Sequence, residues 1–273
     1  MPRALYDILT CMGSTPELYP RTTPAASVTP TAGGWRLAIP DGLRGSYRLA
    51  QIDDYGRAVT HHYMHLPRRA FAWQPPVTLR LRARLSASNL PGTWGFGLWN
   101  DPFGFAIGFG GTRRRLPALP NAAWFFHASP ENYLSLLNDT PPNGFFAGTF
   151  RSPRWPSPLL TPALLALPLL ALRPVSRLLR RLASRLVRQD GGAVSVDVTH
   201  WHDYSIHWQA DVVLFLVDGV EILRTPLAPR GPLGLVLWTD NQYAAWRPDG
   251  RLGYGTVENP AAWLEIENIV ASG

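Results

Sequence analysis

Lysine is absent from this 273-residue sequence, and cysteine occurs once, at Cys11. A single thiol makes neither an internal disulfide nor a cysteine-rich metal site. Long apolar runs are missing too. The longest, from Pro156 to Leu172, is broken by Thr161 and by Pro158, Pro162 and Pro168, and it falls short of the roughly 20 residues that span a bilayer. Met1 to Pro20 lacks a positive end followed by an apolar stretch, so no secretion signal is evident. The expectation is a soluble chain, by default cytoplasmic. Charged residues are scarce at 16%, against 46% hydrophobic. That balance excludes a wholly disordered chain and predicts a sizeable core. The 27 prolines and 24 glycines mark many turns and short elements.

All 26 basic residues are arginine, and the formal net charge is +7. Six of them (Arg173, Arg177, Arg180, Arg181, Arg185 and Arg188) lie in one stretch that holds no acid. The remaining 20 nearly balance 19 Asp and Glu. A nucleic-acid binder spreads its charge over a reading face within a recognisable module. Here the excess sits on one segment plus Arg113, Arg114 and Arg115, so nucleic acid is not an expected partner.

Residues 1–34, rich in Pro, Thr and Ala, read as a loosely ordered arm preceding one domain over 35–273. From Trp35 the pattern alternates. In Thr78–Leu85, Leu79, Leu81, Ala83 and Leu85 share one face while Arg80, Arg82 and Arg84 share the other, a half-buried strand. Further strands are expected at 45–52, 93–101, 105–110, 121–128, 133–138, 203–209, 211–217, 220–224, 233–240 and 261–270. Asp218-Gly219 between two apolar runs is a two-residue hairpin signal. Many short strands without intervening helices indicate a sandwich or barrel.

The segment 151–191 breaks this pattern and reads as a helical, apolar and basic insertion. Val175, Leu178, Leu179, Leu182, Leu186 and Val187 recur at helical spacing, with Arg177, Arg180, Arg181, Arg185 and Arg188 on the remaining face. Three roles stand open: an apolar face packed on the sandwich with solvated arginines, a lid over a pocket with Leu165 and Leu179 in its wall, or a membrane-surface or partner-binding helix using Arg180, Arg181 and Arg185.

Three stretches resemble the concanavalin A-like lectin/glucanase superfamily, and within it the family 16 glycoside hydrolases. The first is Leu79–Leu85 followed by Gly92-Thr93-Trp94-Gly95-Phe96-Gly97-Leu98-Trp99. The second is Trp201-His202-Asp203-Tyr204-Ser205-Ile206-His207-Trp208 running into Phe215-Leu216-Val217-Asp218-Gly219. The third is Ala262-Trp263-Leu264-Glu265-Ile266-Glu267-Asn268-Ile269-Val270. The resemblance implies an all-β, two-sheet antiparallel jelly-roll sandwich whose concave sheet carries a ligand groove. It also implies a strand of the type E-x-D-x-x-E, with two glutamates about 5–5.5 Å apart as nucleophile and acid/base. The expected region, Asn121 to Glu131, holds one His and one Glu and no such pair. The resemblance therefore carries fold and groove but not the retaining mechanism.

Parity picks out the groove. One face of 95–101 carries Gly95, Gly97, Trp99 and Asp101, and one face of 234–240 carries Gly234, Val236, Trp238 and Asp240. Small residues followed by Trp and Asp suit a face that leaves room for a ligand, since core strands seldom place Asp in register with their buried set. Alternatively, both tryptophans simply cover the sheet and both aspartates cap turns. As ligand-binding candidates the sequence offers Trp99, Asn100, Trp124, Trp238, Asn241 and Gln242, and as acid/base candidates Asp101, His127 and Asp240. The ligand is a glycan or, given 11 Trp, 11 Phe and 9 Tyr, a hydrophobic small molecule. His61, His62 and His65 cluster beside Tyr63 but match no strong ligand motif, so no metal is expected. No cofactor motif is present.

Three functional readings follow. They are a carbohydrate-binding or glycosidase-like protein without the standard mechanism, an enzyme acting on a lipid- or isoprenoid-like molecule beneath the insertion, and a non-catalytic protein attached to a membrane or partner.

Overall fold

The computed structural model describes residues 16–59, 62–102, 116–137, 142–161 and 168–273. In chain order the strands are β1 (Tyr19–Thr22), β2 (Ser27–Pro30), β3 (Gly34–Ile39), β4 (Leu49–Asp53), β5 (Gly56–Val59), β6 (His62–His65), β7 (Val77–Leu85), β8 (Thr93–Trp99), β9 (Ala122–Ala128) and β10 (Gly144–Arg151). Two helices follow, α1 (Ser157–Leu160) and α2 (Arg173–Leu186). The chain ends with β11 (Arg188–Ala193), β12 (His202–Trp208), β13 (Val213–Val217), β14 (Val220–Thr225), β15 (Gly234–Asp240), β16 (Gln242–Trp246), β17 (Leu252–Thr256) and β18 (Ala262–Ser272).

Two seven-stranded antiparallel sheets form a jelly-roll sandwich. One runs β1-β4-β15-β8-β9-β10-β11, the other β14-β13-β12-β7-β18-β3-β2; β5-β6 and β16-β17 are separate hairpins. The alternation in β7 does what its sequence predicts. Leu79, Leu81, Ala83 and Leu85 are buried against Phe96, Leu98, Phe125, Tyr204, Ile206 and Phe215. On the opposite face Arg84 donates to Glu265, which also accepts from Arg36, and Arg82 pairs with Asp203. Asp218 and Gly219 take φ of +51° and +77°, the left-handed pair a two-residue hairpin requires, and Val217 faces Val220 across it.

Several expectations are corrected. Residues 19–30 supply edge strands to both sheets, through β1 and β2, rather than a loose arm. No strand forms over 133–138 among its described residues; Tyr133 makes only an isolated bridge to Ala245. The segment 151–191 is not wholly helical, because β11 pairs with β10 along its full length. The expected strand at 105–110 lies outside the described residues, as do Cys11, His61, the run Arg113–Arg115 and Leu165.

Helix α2 turns an unexpected face to the protein. Ser176 and Arg180 are its buried residues, whereas Leu178 and Leu182 are 56% and 43% exposed. Arg180, expected among the solvated arginines, donates from Nε to the Trp246 carbonyl and from Nη2 to the Ser135 carbonyl, both at 2.9 Å. Its guanidinium also lies 5.7 Å from the Tyr133 ring centre, and Trp246 Nε1 donates to Ser176 Oγ. The helix is thus pinned to the β16-β17 hairpin and the 133–135 segment by polar contacts, while Leu178 and Leu182 face outward and Leu179 and Leu186 are half-buried. Among the described residues no helix is long and apolar enough to cross a membrane.

Candidate functional site

The first sheet is packed on both sides. Its inward residues, including Trp94, Phe96, Leu98, Phe125, Leu235 and Leu237, form the sandwich core. Its outward residues carry a second apolar cluster in which Trp124, Phe126, Val236 and Trp238 are buried and Trp99, Phe146 and Phe150 pack alongside. Cross-strand register builds this face. Gly95 lies between Phe126 and Trp238, and Gly97 between Trp124 and Val236. The small residues do leave room, but this chain's own rings use it. A Cβ on Gly95 would meet Trp238 at 2.8 Å and the Phe125 carbonyl at 2.5 Å, and one on Gly234 would meet the Tyr55 ring at 2.3 Å.

Three tryptophans meet here. Trp99 and Trp238 stack with ring planes 9° apart and centres 6.3 Å apart. Trp124 lies 5.9 Å from the first and 5.8 Å from the second. Trp124 is 6% and Trp238 7% exposed, while Trp99 is half-buried. Tyr47, Leu66, Phe71 and Leu134 pack against the cluster from the connecting segments, so the face is roofed rather than an open groove.

Polar groups flank the tryptophans at both ends. At one end Trp238 Nε1 donates to Thr93 Oγ1, whose hydroxyl donates to Asp240 at 2.7 Å. Asp240 also accepts from Tyr47 Oη and the Gln242 backbone N–H. Burial is the chief cause that lifts its carboxyl to about 6, and burial beside that carboxylate holds the Tyr47 hydroxyl well above its usual range. At the other end Gln51 Nε2 and the Gly56 N–H donate to Asp53, and Trp99 Nε1 donates to Tyr55 Oη at 2.8 Å. Among the described residues Trp124 Nε1 has no hydrogen-bond partner, and neither do Trp94 and Trp208 Nε1 in the sandwich core.

The acid/base candidates do not converge. His127 faces the sandwich interior, stacked on Trp94 at 5.3 Å, with Nε2 3.3 Å from the Leu90 carbonyl. Burial holds its pKa down, and it shares no face with Trp99. Asp101 lies beyond the end of β8, buried, with φ of +44°, so strand alternation does not reach it. Asp240 alone of the three sits on the tryptophan face. The outward positions of β9 are Ala122, Trp124, Phe126 and Ala128, with no carboxylate. Asp53 lies opposite Val236, four residues from Asp240 along β15; at about 3.3 Å per residue that is about 13 Å, beyond the spacing of a glycosidase pair.

The remaining polar candidates have structural partners. Asn100 bonds the Leu119 carbonyl and the Asn121 N–H. Asn241 is fully buried and joins Arg48, Ser46 and Val257. Gln242 opens β16, half-buried. On α2, Leu179 is half-buried and Arg181 and Arg185 are exposed.

Sequence reading missed Gln51, Tyr55, Phe126, Phe146 and Phe150 on this face. The alternation Phe146-x-Gly148-x-Phe150 after the Asn143-Gly144 turn was the available signal for the last two. Asp54, one residue past β4, is a further, half-buried acid. It accepts from Trp73 Nε1 and the Leu235 N–H, and burial lifts it to about 7.

Fold and site together define an antiparallel jelly roll with a tryptophan-faced, roofed outer sheet. No protein family model matches the chain, and no curated protein matches it. Solved structures similar to it include the LamA catalytic module of Zobellia galactanivorans, at 12% identity over 88% of this chain and 77% of that one, with a TM-score of 0.42. A family 16 endo-glucanase from Bacteroides ovatus follows at 9%, covering 91% and 94%, with a TM-score of 0.42. The carbohydrate-binding module CBM66 of Bacillus subtilis stands at 7%, covering 96% and 99%, with a TM-score of 0.39.

Proposed function

We propose that the protein binds a glycan at the half-buried Trp99 edge of the tryptophan face of its first sheet and does not cleave it. The observation that carries this reading is the Trp99-Trp124-Trp238 group, where a half-buried ring is backed by two buried ones. Flat rings of this kind give large, rigid contact area to an amphipathic ligand. Binding without hydrolysis is supported by the carboxylate-free face of β9.

The test is a glycan array followed by retention in gels containing the best polysaccharide. Trp99→Ala, with its circular dichroism unchanged, is expected to weaken binding at least about tenfold, as truncation of an aromatic anchor does. Failure of the unaltered protein to bind any glycan, or equal binding by Trp99→Ala, would overturn the reading.

A second reading rests on the burial of this same apolar face: an enzyme acting on a hydrophobic small molecule, with Asp240 as acid or base. Native mass spectrometry separates the two, because a co-purified lipid or isoprenoid favours the second.

A further inference from the structure

Four arginines from three parts of the chain line one open cavity of about 220 Å³. They are Arg151 at the end of β10, Arg185 on the last turn of α2, Arg188 at the start of β11, and Arg230 in the segment leading to β15; Ser152, Pro153 and Leu186 complete the wall. Among the described residues no carboxylate lines the cavity. None of the four guanidinium groups has a hydrogen bond or ion pair to a described residue.

Register sharpens this. Arg151 and Arg188 are direct cross-strand partners, the last rung of the β10-β11 ladder. Like charges placed opposite one another in a sheet are destabilising, yet here two more arginines are brought to the same place. The scaffold beneath is fixed. Asn121, 2% exposed, accepts at Oδ1 from the backbone N–H of both Ser152 and Arg230. It thereby ties the residue after Arg151 to the segment that carries Arg230.

We propose that this cavity is a binding site for a phosphate- or sulfate-class oxyanion. Such a group offers several acceptor oxygens to guanidinium forks, which bind oxyanions in bidentate fashion, and it cancels the repulsion of the Arg151-Arg188 rung. The anion comes either free or as a lipid headgroup. Leu178 and Leu182 stand exposed beside Arg181 and Arg185 on the outer face of α2, the mixture of leucine and arginine that suits the headgroup layer of an anionic membrane. Arg151 alternates with Phe150 along β10, and Phe150 packs on the tryptophan face, so the cavity lies on the other side of the strand and does not rest on the glycan reading.

The experiment compares the full chain with Arg188→Gln and with the double variant Arg188→Gln/Arg230→Gln. Thermal unfolding is followed in phosphate, sulfate and chloride at matched ionic strength, and binding is measured to phosphatidylglycerol and to phosphatidylcholine vesicles. Phosphate or sulfate is expected to raise Tm above the chloride value in the unaltered protein, with the apparent Kd weakened at least about tenfold in the double variant. In chloride alone Arg188→Gln is expected to melt at or above the parent temperature, since the like-charged rung is gone; this separates lost binding from misfolding. If only phosphatidylglycerol vesicles bind, and the arginine variants lose that binding, the site takes a lipid phosphate. If neither free anions nor anionic vesicles act beyond chloride, or if the double variant responds like the parent, the proposal falls.

Discussion

Asp240→Asn is expected to stabilise the protein by about 3 kcal/mol at pH 8 and by little at pH 4. The folded protein releases the Asp240 proton near pH 6, whereas an unfolded chain releases it near about 3.9. Between those values the folded state holds one more proton than the unfolded state, so stability falls as pH rises through the window and stays lowered above it. A difference of about two units corresponds to about 3 kcal/mol, undiminished by solvent because the residue is 7% exposed. Asparagine keeps the acceptor for Thr93 and the Gln242 N–H and offers an N–H to Tyr47, so the bonds survive while the charge does not. Urea unfolding of both proteins at pH 4, 6 and 8 checks this. A stability difference that stays constant over that range would show that Asp240 is not the buried acid described.

Arg180→Met carries the second large effect. It leaves the Trp246 and Ser135 carbonyls without the donors that now reach them at 2.9 Å. Charge-assisted hydrogen bonds of this kind contribute about 1.5–3 kcal/mol each, so the docking of α2 should lose about 3 kcal/mol. Local opening would then be about a hundredfold more frequent. Trypsin cleavage at Arg177 and Arg181 should accelerate by that factor when opening equilibrates faster than cleavage. Arg180→Lys should not restore protection, since one ammonium cannot reproduce the fork. Unchanged cleavage in Arg180→Met would mean that the helix is held by its half-buried leucines instead.

The β7 alternation, the parity of β8 and β15 and the Asp218-Gly219 turn were legible because each is local, the first two as a period of two and the last as a pair of residues that tolerate positive φ. The short strands β1 and β2 were not. Pro20 and Pro30 argue against strands, but both elements lie at sheet edges, where a missing N–H does little harm. Strand β11, Arg188-Gln189-Asp190-Gly191-Gly192-Ala193, has the composition of a loop and is a strand because β10 pairs with it. At the candidate site, Gly95 and Gly234 were read as leaving room for a ligand, and the room is there but filled. A missing Cβ does not distinguish a ligand from the chain's own rings, and the structure supplies Trp238 and Tyr55. The helical period of α2 was equally plain, but hydrophobicity did not show that Arg180 would be buried on two backbone carbonyls while Leu178 and Leu182 stay exposed. The arginine cavity was invisible for a different reason: Arg151 and Arg188 become neighbours only once register is known.

The apolar cluster outside the first sheet has a consequence for isotope exchange. Every residue of β9 and of β15 is buried, whereas β12 and β13 alternate between core and a solvent-facing side. Water therefore reaches the amides of β9 and β15 from neither face, and both strands have hydrogen-bonded neighbours on each flank. Their exchange should require opening of the whole molecule, while β2 and β14, at the edges of the other sheet, exchange through fraying. Deuterium should enter β9 and β15 last.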